Sequence, residues 1–191
     1  MKEIRISVLG NVDSGKTTLI SSLSNKILDN GRGFSRSKIF KHKHEIETGR
    51  TSSISYNYLQ VNKNKYITFI DLAGHEKYYK TTIYGINSGF IDYAILLIGA
   101  NMGILRITKE HLGIIKALNK PFFIVFTKID ICPPKILERN LKEIRGILDK
   151  NFKKYKYDFN NYINFNQNLI KIFTLSNVSG KGLCEFRTFL S

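Results

Sequence analysis

The amino-acid sequence predicts an α/β fold with three layers, α/β/α, in which a mostly parallel six-stranded sheet carries one antiparallel edge strand. Short apolar runs typical of buried strands alternate with longer segments whose apolar residues recur at helical spacing. Two of these runs are joined by the short polar turn 62–65, which indicates a hairpin and therefore the antiparallel strand. Polar or glycine-containing motifs follow several runs, as expected for a parallel sheet that binds its ligand at the carboxyl ends of its strands.

The predicted strands share a mostly apolar run bounded by polar or glycine-containing segments, and they cover residues 4–9, 54–61, 66–70, 93–98, 122–126 and 169–175. The predicted helices share apolar residues three or four positions apart, and they cover residues 16–28, 108–118, 135–148 and 183–190. A loop followed by a further helix is predicted within residues 71–85. Pro133 and Pro134 mark the start of the fourth helix, because proline is favoured in the first turn. His111 falls on the third helix, either at the surface or in helix packing.

The composition is that of one globular domain with a substantial core, since 42% of the 191 residues are hydrophobic. The sequence has no run of eighteen apolar residues, and Lys2, Glu3 and Arg5 interrupt any signal-peptide pattern. We therefore expect a cytoplasmic protein with no membrane association. Cys132 and Cys184 lack metal-ligand spacing, which predicts free thiols in a reducing compartment.

The formal net charge is +15, from 30 lysines and arginines against 15 aspartates and glutamates. Such a charge favours an RNA-rich partner such as a ribosome. Abundant lysine, isoleucine and asparagine are equally typical of an AT-rich coding sequence, in which surface lysines accumulate without selection for binding. The sequence leaves both explanations open.

The first motif, residues 10–17, lies between the first predicted strand and the first predicted helix. Gly10 and Gly15 permit backbone conformations in which successive N–H groups surround a polyphosphate. Lys16 supplies a positive charge for the β- and γ-phosphates, and the Thr17 hydroxyl is placed to bind Mg²⁺. The helix also directs its positive dipole end at the anion. This context predicts a phosphate-binding loop and a P-loop NTPase fold, and a flexible glycine turn is the alternative.

The second motif, residues 71–75, directly follows the third predicted strand. A strand-end carboxylate at Asp71 can hold the Mg²⁺ shell through water, and the N–H of Gly74 can meet a γ-phosphate that comes and goes. The alternative role of Asp71 is to cap the next helix.

The third and fourth motifs follow the last two predicted strands. The Asp130 carboxylate can accept two hydrogen bonds from the N1–H and 2-amino groups of guanine, a pair that adenine does not present. The stem of Lys128 can lie against a flat base. Residues 176–178 can offer a backbone N–H to the guanine O6. Four such motifs at successive strand ends predict a guanine-nucleotide site.

With these motifs the sequence resembles the GTP-binding domain of translational GTPases, the elongation factor Tu class. Within that class it is most similar to the branch of GTP-binding protein 1 and 2. The segments that carry this resemblance are residues 10–17, 29–34, 42–47, 49–53, 67–78, 108–113 and 127–130. The resemblance covers nearly the whole chain except residues 151–168.

The resemblance implies a Mg²⁺-dependent molecular switch that binds GTP and hydrolyses it to GDP, with switch I at residues 29–53 and switch II at residues 72–87. His75 matches the family's catalytic histidine, which positions the attacking water, and Lys16 is the second predicted catalytic residue. Asp13 matches an aspartate that binds a monovalent cation near the phosphates. Hydrolysis is expected to be slow until a partner acts.

The sequence departs from the family pattern at three places. Aligning switch I on its arginine assigns the Mg²⁺ ligand to Ser53, whereas aligning it on its threonine assigns Thr51, and both assignments stay open. Thr127 stands where the family has asparagine, so we expect one side-chain hydrogen bond to the base or the phosphate loop to be missing, with weaker guanine binding. The family's β-barrel domains are absent from this sequence, which predicts one GTP-binding domain over residues 1–191, either truncated or naturally single.

Residues 151–168 are rich in Asn, Lys, Tyr and Phe. We expect a polar surface insertion whose aromatic rings pack back on the domain, and a nucleic-acid contact is the alternative. We predict no stable oligomer.

The sequence thus predicts a GTPase, and the alternative is a guanine-nucleotide-binding interaction module with little or no hydrolysis. A P-loop kinase or ATPase is opposed by Asp130. The predicted nucleotide-binding residues are Gly10, Asn11, Val12, Asp13, Ser14, Gly15, Lys16, Thr17, Thr18, Asp71, Gly74, Thr127, Lys128, Asp130, Ser176, Asn177 and Val178. The predicted Mg²⁺ ligands are Thr17, Asp71 and either Thr51 or Ser53.

Overall fold

The computed structural model of the chain describes residues 2–39, 54–72, 90–159 and 169–191. Seven strands in these ranges form one sheet, with the order β2-β3-β1-β4-β5-β7-β6. The strands are β1 (Lys2–Gly10), β2 (Ser55–Asn62), β3 (Lys65–Asp71), β4 (Tyr93–Gly99), β5 (Phe122–Thr127), β6 (Lys156–Phe159) and β7 (Leu169–Thr174).

The strand pairing confirms a mostly parallel sheet with one antiparallel edge strand. β2 lies at one edge and runs antiparallel to β3, whereas the other neighbouring strands of the sheet run parallel to each other. The predicted number of six strands was wrong, because β6 adds a seventh at the opposite edge. β6 escapes sequence analysis because it is short and polar, and its Asp158 forms an ion pair of 3.0 Å with the buried Lys171 on β7.

Four helices and a short 3₁₀ helix are present in the described ranges. They are α1 (Lys16–Asn25), the 3₁₀ helix (Arg36–Lys38), α2 (Arg106–Leu118), α3 (Pro134–Asn151) and α4 (Leu183–Leu190). α1 ends three residues before the predicted Leu28, because Lys26 adopts a left-handed conformation with φ of 58°. The loop and helix predicted within residues 71–85 lie largely outside the described residues. None of the described helices could cross a membrane.

The helices cover both faces of the sheet, as predicted. On one face, α1 and α4 bury residues such as Leu19 and Phe186 against apolar strand side chains. On the other face, α2 and α3 bury Leu112 and Ile144 in a second cluster. Burial of these two faces holds the sheet between the helices. Because the central strands run parallel, the loops at their carboxyl ends lie along one edge of the sheet.

The first residues of the 151–168 segment pack onto the domain. The ring of Phe152 is buried, and its centroid lies 5.1 Å from that of Phe122 on β5. Tyr155 and Tyr157 contact the same apolar cluster from partly buried positions. Residues 160–168 lie outside the described part of the chain, so the prediction for the segment as a whole stays a prediction.

Candidate nucleotide-binding site

The loop between β1 and α1 has the backbone of an anion-binding turn. Gly10, Asp13 and Gly15 have φ values of 149°, 59° and 88°. Backbone turns with such positive φ values are typical of loops whose successive N–H groups bind an anion. A β-carbon on Gly10 would lie 2.7 Å from the Ser14 hydroxyl oxygen, so this strand end has no room for a side chain.

The buried side chain of Lys16 lies inside this loop and contacts its backbone. Its Nζ donates hydrogen bonds to the carbonyl oxygens of Gly10 at 3.0 Å and Asn11 at 2.9 Å. Burial lowers the pKa of Lys16 to about 8, although the carboxylates of Asp71 and Asp13 act in the opposite direction. A polyphosphate beside Nζ would stabilise the charged ammonium and raise this pKa again.

Thr17 and Asp71 join the first and second motifs. The Thr17 hydroxyl donates a hydrogen bond of 2.7 Å to Oδ2 of Asp71, which is fully buried at the end of β3. Both side chains carry oxygen atoms, which are the ligands that Mg²⁺ prefers. A buried carboxylate beside a hydroxyl therefore suits a hard divalent cation. The described residues therefore fit the implied metal ion, and Thr17 and Asp71 are the residues that would hold it.

Thr127 ties the third motif to the phosphate loop. Its buried hydroxyl donates a hydrogen bond of 2.6 Å to the carbonyl oxygen of Ser14. The expectation that this threonine leaves one side-chain hydrogen bond unmade is therefore wrong for the phosphate loop, because the shorter hydroxyl reaches the loop carbonyl directly.

The fourth motif forms a tight turn after β7. The Ser176 hydroxyl oxygen accepts hydrogen bonds from the N–H groups of Val178 at 3.1 Å and Ser179 at 3.0 Å. The carbonyl oxygen of Asn177 accepts a hydrogen bond of 2.8 Å from the N–H of Asp29. The turn thus connects the proposed base-binding loop with the first residues of the predicted switch I.

These loops surround one cavity of about 200 Å³ at the carboxyl edge of the sheet. The predicted site residues that line it are Asp13, Gly15, Thr18, Lys128, Asp130, Asn177 and Val178. Lys128 has a φ of 61°, so the chain turns sharply between β5 and Asp130. The residues predicted to bind the phosphates and those predicted to bind the base therefore line the same cavity.

Five further residues line this cavity and were not predicted as site residues: Asp29, Gly31, Gly33, Arg36 and Ile131. The first four belong to the segment predicted as the start of switch I. In sequence, its aspartate and glycine positions predict only a turn-rich loop. The hydrogen bond that attaches this loop to the cavity, from the N–H of Asp29 to the carbonyl oxygen of Asn177, joins residues far apart in sequence. Ile131, 62% exposed, presents an apolar side chain at the rim.

Four predicted site residues, Gly74, His75, Thr51 and Ser53, lie outside the described residues, so the choice of switch I ligand stays open.

His111 lies within the described residues, and the alternative prediction that it is at the surface was wrong, because it is 2% exposed. Burial, together with the positive charge of Lys16, lowers the pKa of His111 to about 4, so the imidazole is neutral at pH 7.

Comparison with known proteins agrees with the geometry. The family model described as the elongation factor Tu GTP binding domain matches residues 1–191. The chain is 43% identical over 222 residues to GTP-binding protein 1 of Xenopus laevis, covering 99% of this chain and 34% of that protein. It is 42% identical over 219 residues to GTP-binding protein 2 of Homo sapiens, covering 99% of this chain and 36% of the relative. The chain thus spans about a third of the length of these curated relatives.

Solved structures with the same fold are translation elongation factors. A bacterial selenocysteine-specific elongation factor superposes with a TM-score of 0.76 and 26% identity, over 100% of this chain and 28% of that one. The elongation factor SelB of Methanococcus maripaludis, in complex with the GTP analogue GppNHp, superposes with a TM-score of 0.72 and 22% identity, over 100% of this chain and 33% of that one. From the match over its whole length and the motifs at its strand ends, the chain belongs to the elongation factor Tu GTP-binding domain family.

Proposed function

We propose that this domain binds GTP and hydrolyses it to GDP, and so acts as a Mg²⁺-dependent molecular switch of the translational GTPase class. The observation that supports this most is the cavity between the phosphate loop and Asp130, because a nucleotide is the ligand that needs both ends. Membership of the elongation factor Tu family supports the same activity.

Guanine selectivity rests on the carboxylate of Asp130. Its two oxygens accept the N1–H and the 2-amino hydrogen of guanine, whereas adenine offers an acceptor at N1 and no 2-amino group. The stem of Lys128 covers one face of the base. The N–H groups of Ser176 and Val178 already donate hydrogen bonds within the loop that follows β7, so the N–H of Asn177 is the one that we assign to O6.

The phosphate end carries the chemistry of hydrolysis. Lys16 neutralises charge on the β- and γ-phosphates, and Thr17 and Asp71 hold the metal ion, which supplies charge stabilisation when bound. His75, assigned by resemblance, positions the water that attacks the γ-phosphorus. The bond from the γ-phosphorus to the β,γ-bridging oxygen breaks, and GDP and phosphate leave. The residues hold reactants in place rather than react covalently, so slow turnover without a partner is expected.

The partner we propose is a ribosome or another RNA-rich assembly. The formal net charge of +15 supports a polyanionic partner, and the structural neighbours are described as translation elongation factors. Asp13 is the proposed site of a monovalent cation beside the phosphates. A cytoplasmic location and a monomeric state complete the proposal.

Two measurements test the nucleotide assignment. The protein is purified without added nucleotide, and the nucleotide that it retains is identified after denaturation; we expect GDP. The matched variant Asp130→Asn exchanges one acceptor for a donor, which complements xanthine instead of guanine. It should lose GDP and gain xanthosine diphosphate. Equal competition by ATP and GTP in the unmodified protein would contradict the guanine assignment.

Hydrolysis is tested separately with the unmodified protein and His75→Ala, each with and without ribosomes. We expect phosphate release from GTP, stimulation by ribosomes and loss of most activity in the variant. If the unmodified protein releases no more phosphate than the variant under either condition, the domain binds guanine nucleotides without hydrolysing them, which is the alternative function.

A further inference from the structure

Arg36 is a cation in the nucleotide cavity that the motifs of the family do not account for. We propose that its guanidinium binds the α-phosphate of the nucleotide and thereby makes the 29–39 segment part of the binding site. This inference rests on the proposed function, since it names a further contact to the same ligand. It follows from the fold of the segment, the position of the guanidinium and the charges around it.

The segment is a folded loop in which Asp29 is the organising residue. Its buried carboxylate accepts hydrogen bonds from the N–H groups of Gly31 at 3.0 Å, Gly33 at 3.2 Å and Ser35 at 2.8 Å. A second side chain, Asn30, accepts hydrogen bonds from two further N–H groups of the loop. The backbone before Arg36 is therefore held in one conformation.

The loop is also attached to α1, directly behind the phosphate loop. The Ser21 hydroxyl donates a hydrogen bond of 2.5 Å to the carbonyl oxygen of Ser35, and the Ser35 hydroxyl donates one of 3.5 Å to the carbonyl oxygen of Thr18. Thr18 itself lines the cavity. Arg36 follows Ser35 and lines the same cavity as Thr18 and Asp130. Lys16, which we assign to the β- and γ-phosphates, does not line this cavity, so the phosphate nearest the ribose is the one that we place beside Arg36.

Gly33 leaves room for the guanidinium. A β-carbon on Gly33 would lie 2.9 Å from Cζ of Arg36, inside the van der Waals distance, so the planar group rests against the bare backbone of this glycine. Gly33 has a φ of 89°, which also favours glycine. In the sequence Gly-Phe-Ser-Arg, the guanidinium of Arg36 therefore packs against the backbone of Gly33, and both residues line the cavity.

Arg36 forms no ion pair with a carboxylate of the described residues, although Asp13, Asp29 and Asp130 line the same cavity. None of the four ion pairs among the described residues includes Arg36. The nearest carboxylate in its own loop, Asp29, already accepts three N–H groups. A phosphate group matches the geometry of this half-buried guanidinium, because two parallel N–H groups can donate hydrogen bonds to two phosphate oxygens.

The experiment compares GMP, GDP and GTP binding to the unmodified protein, Arg36→Ala and Arg36→Lys, by competition against a fluorescent GDP. Arg32→Ala is the matched control, since Arg32 is an exposed arginine of the same loop that does not line the cavity. We expect Arg36→Ala to weaken all three nucleotides by the same factor, about 10- to 100-fold. Arg36→Lys should recover part of the loss, and Arg32→Ala should bind as the unmodified protein does.

The outcomes separate this inference from the proposed function. If the unmodified protein binds none of the three nucleotides, the proposed function fails and the inference with it. If it binds them and Arg36→Ala binds equally well, only the inference fails. A loss confined to GTP would place the guanidinium at the γ-phosphate and overturn the assignment. Urea unfolding without nucleotide should give the same midpoint for Arg36→Ala and Arg32→Ala, which confirms that both variants are folded.

Discussion

The substitution Thr127→Val removes the bond between the base-binding motif and the phosphate loop while keeping the shape of the side chain. The lost interaction is the 2.6 Å hydrogen bond from the Thr127 hydroxyl to the Ser14 carbonyl oxygen. Thr127 is fully buried, so water does not replace the donor without rearrangement. The valine methyl group occupies the same space, and the unmade hydrogen bond is therefore the main change.

The expected cost is about 1–3 kcal/mol, the penalty for leaving one buried acceptor without its partner. This cost is shared between the free energy of unfolding and the free energy of GDP binding. If the phosphate loop keeps its conformation without nucleotide, the free energy of unfolding falls by that amount. If the loop loosens instead, the free protein is little affected and GDP must order the loop, so the dissociation constant for GDP rises by about 5- to 150-fold.

Both quantities are measurable on the same samples, by urea unfolding of the nucleotide-free protein and by calorimetric titration with GDP. Thr127→Ser is the control, because it keeps the hydroxyl and loses only a methyl group. The two losses in the valine variant should sum to about 1–3 kcal/mol, and the serine variant should bind GDP as tightly as the unmodified protein. A valine variant that matches the unmodified protein in both measurements would refute the role given to this hydroxyl.

Three further predictions concern ionisable groups. Since the pKa of Lys16 is about 8 without nucleotide and rises beside phosphate, GDP binding at pH 8.5 should take up about 0.7 proton, seen as a dependence of the calorimetric heat on buffer ionisation; zero uptake would contradict it. The pKa of His111 falls from 6.5 to about 4 on folding, so the unfolded chain binds the proton first and stability is lost as pH falls from 6.5 to 4. The loss reaches about 3 kcal/mol in urea unfolding, and His111→Gln should remove that part of the pH dependence. Asp158→Ala leaves the buried ammonium of Lys171 without this carboxylate and should lower the free energy of unfolding by about 1–3 kcal/mol; Glu143→Ala, in an exposed ion pair, should cost less than about 1 kcal/mol, and equal effects would contradict the distinction.

The sequence predicts the fold well where the sheet is buried. β4 and β5 are buried along nearly their whole length, so an unbroken apolar run is required there, and such runs are easy to recognise. α2 begins at Arg106 rather than at the predicted Thr108, because the Thr108 hydroxyl accepts the N–H of Leu105 and so lies inside the first turn. β6 could not be predicted, since its place in the sheet comes from parallel pairing with β7 and from the ion pair between Asp158 and Lys171, which a four-residue pattern does not encode.

The candidate site likewise has residues that the sequence predicts and residues that it does not. Lys16, Thr17 and Asp130 stand in short motifs with a direct chemical meaning, and the structure places these motifs along one edge of the sheet. Arg36 has no such motif, because it reaches the cavity only through the hydrogen bonds of Asp29 and Ser35. The role of Thr127 depends on the distance between two loops that are 113 positions apart in sequence, which local patterns do not encode.

That hydrogen bond between Thr127 and Ser14 also has a consequence for which ligands fit. It holds the phosphate loop and the third motif, which carries Asp130, at one separation in the protein itself, before any ligand arrives. Under the proposed function, inorganic triphosphate would contact only the phosphate loop, and free guanine would contact only Asp130. A ligand is therefore selected by its length as well as by its base, and only a molecule that spans the fixed separation gains the energy of both contacts.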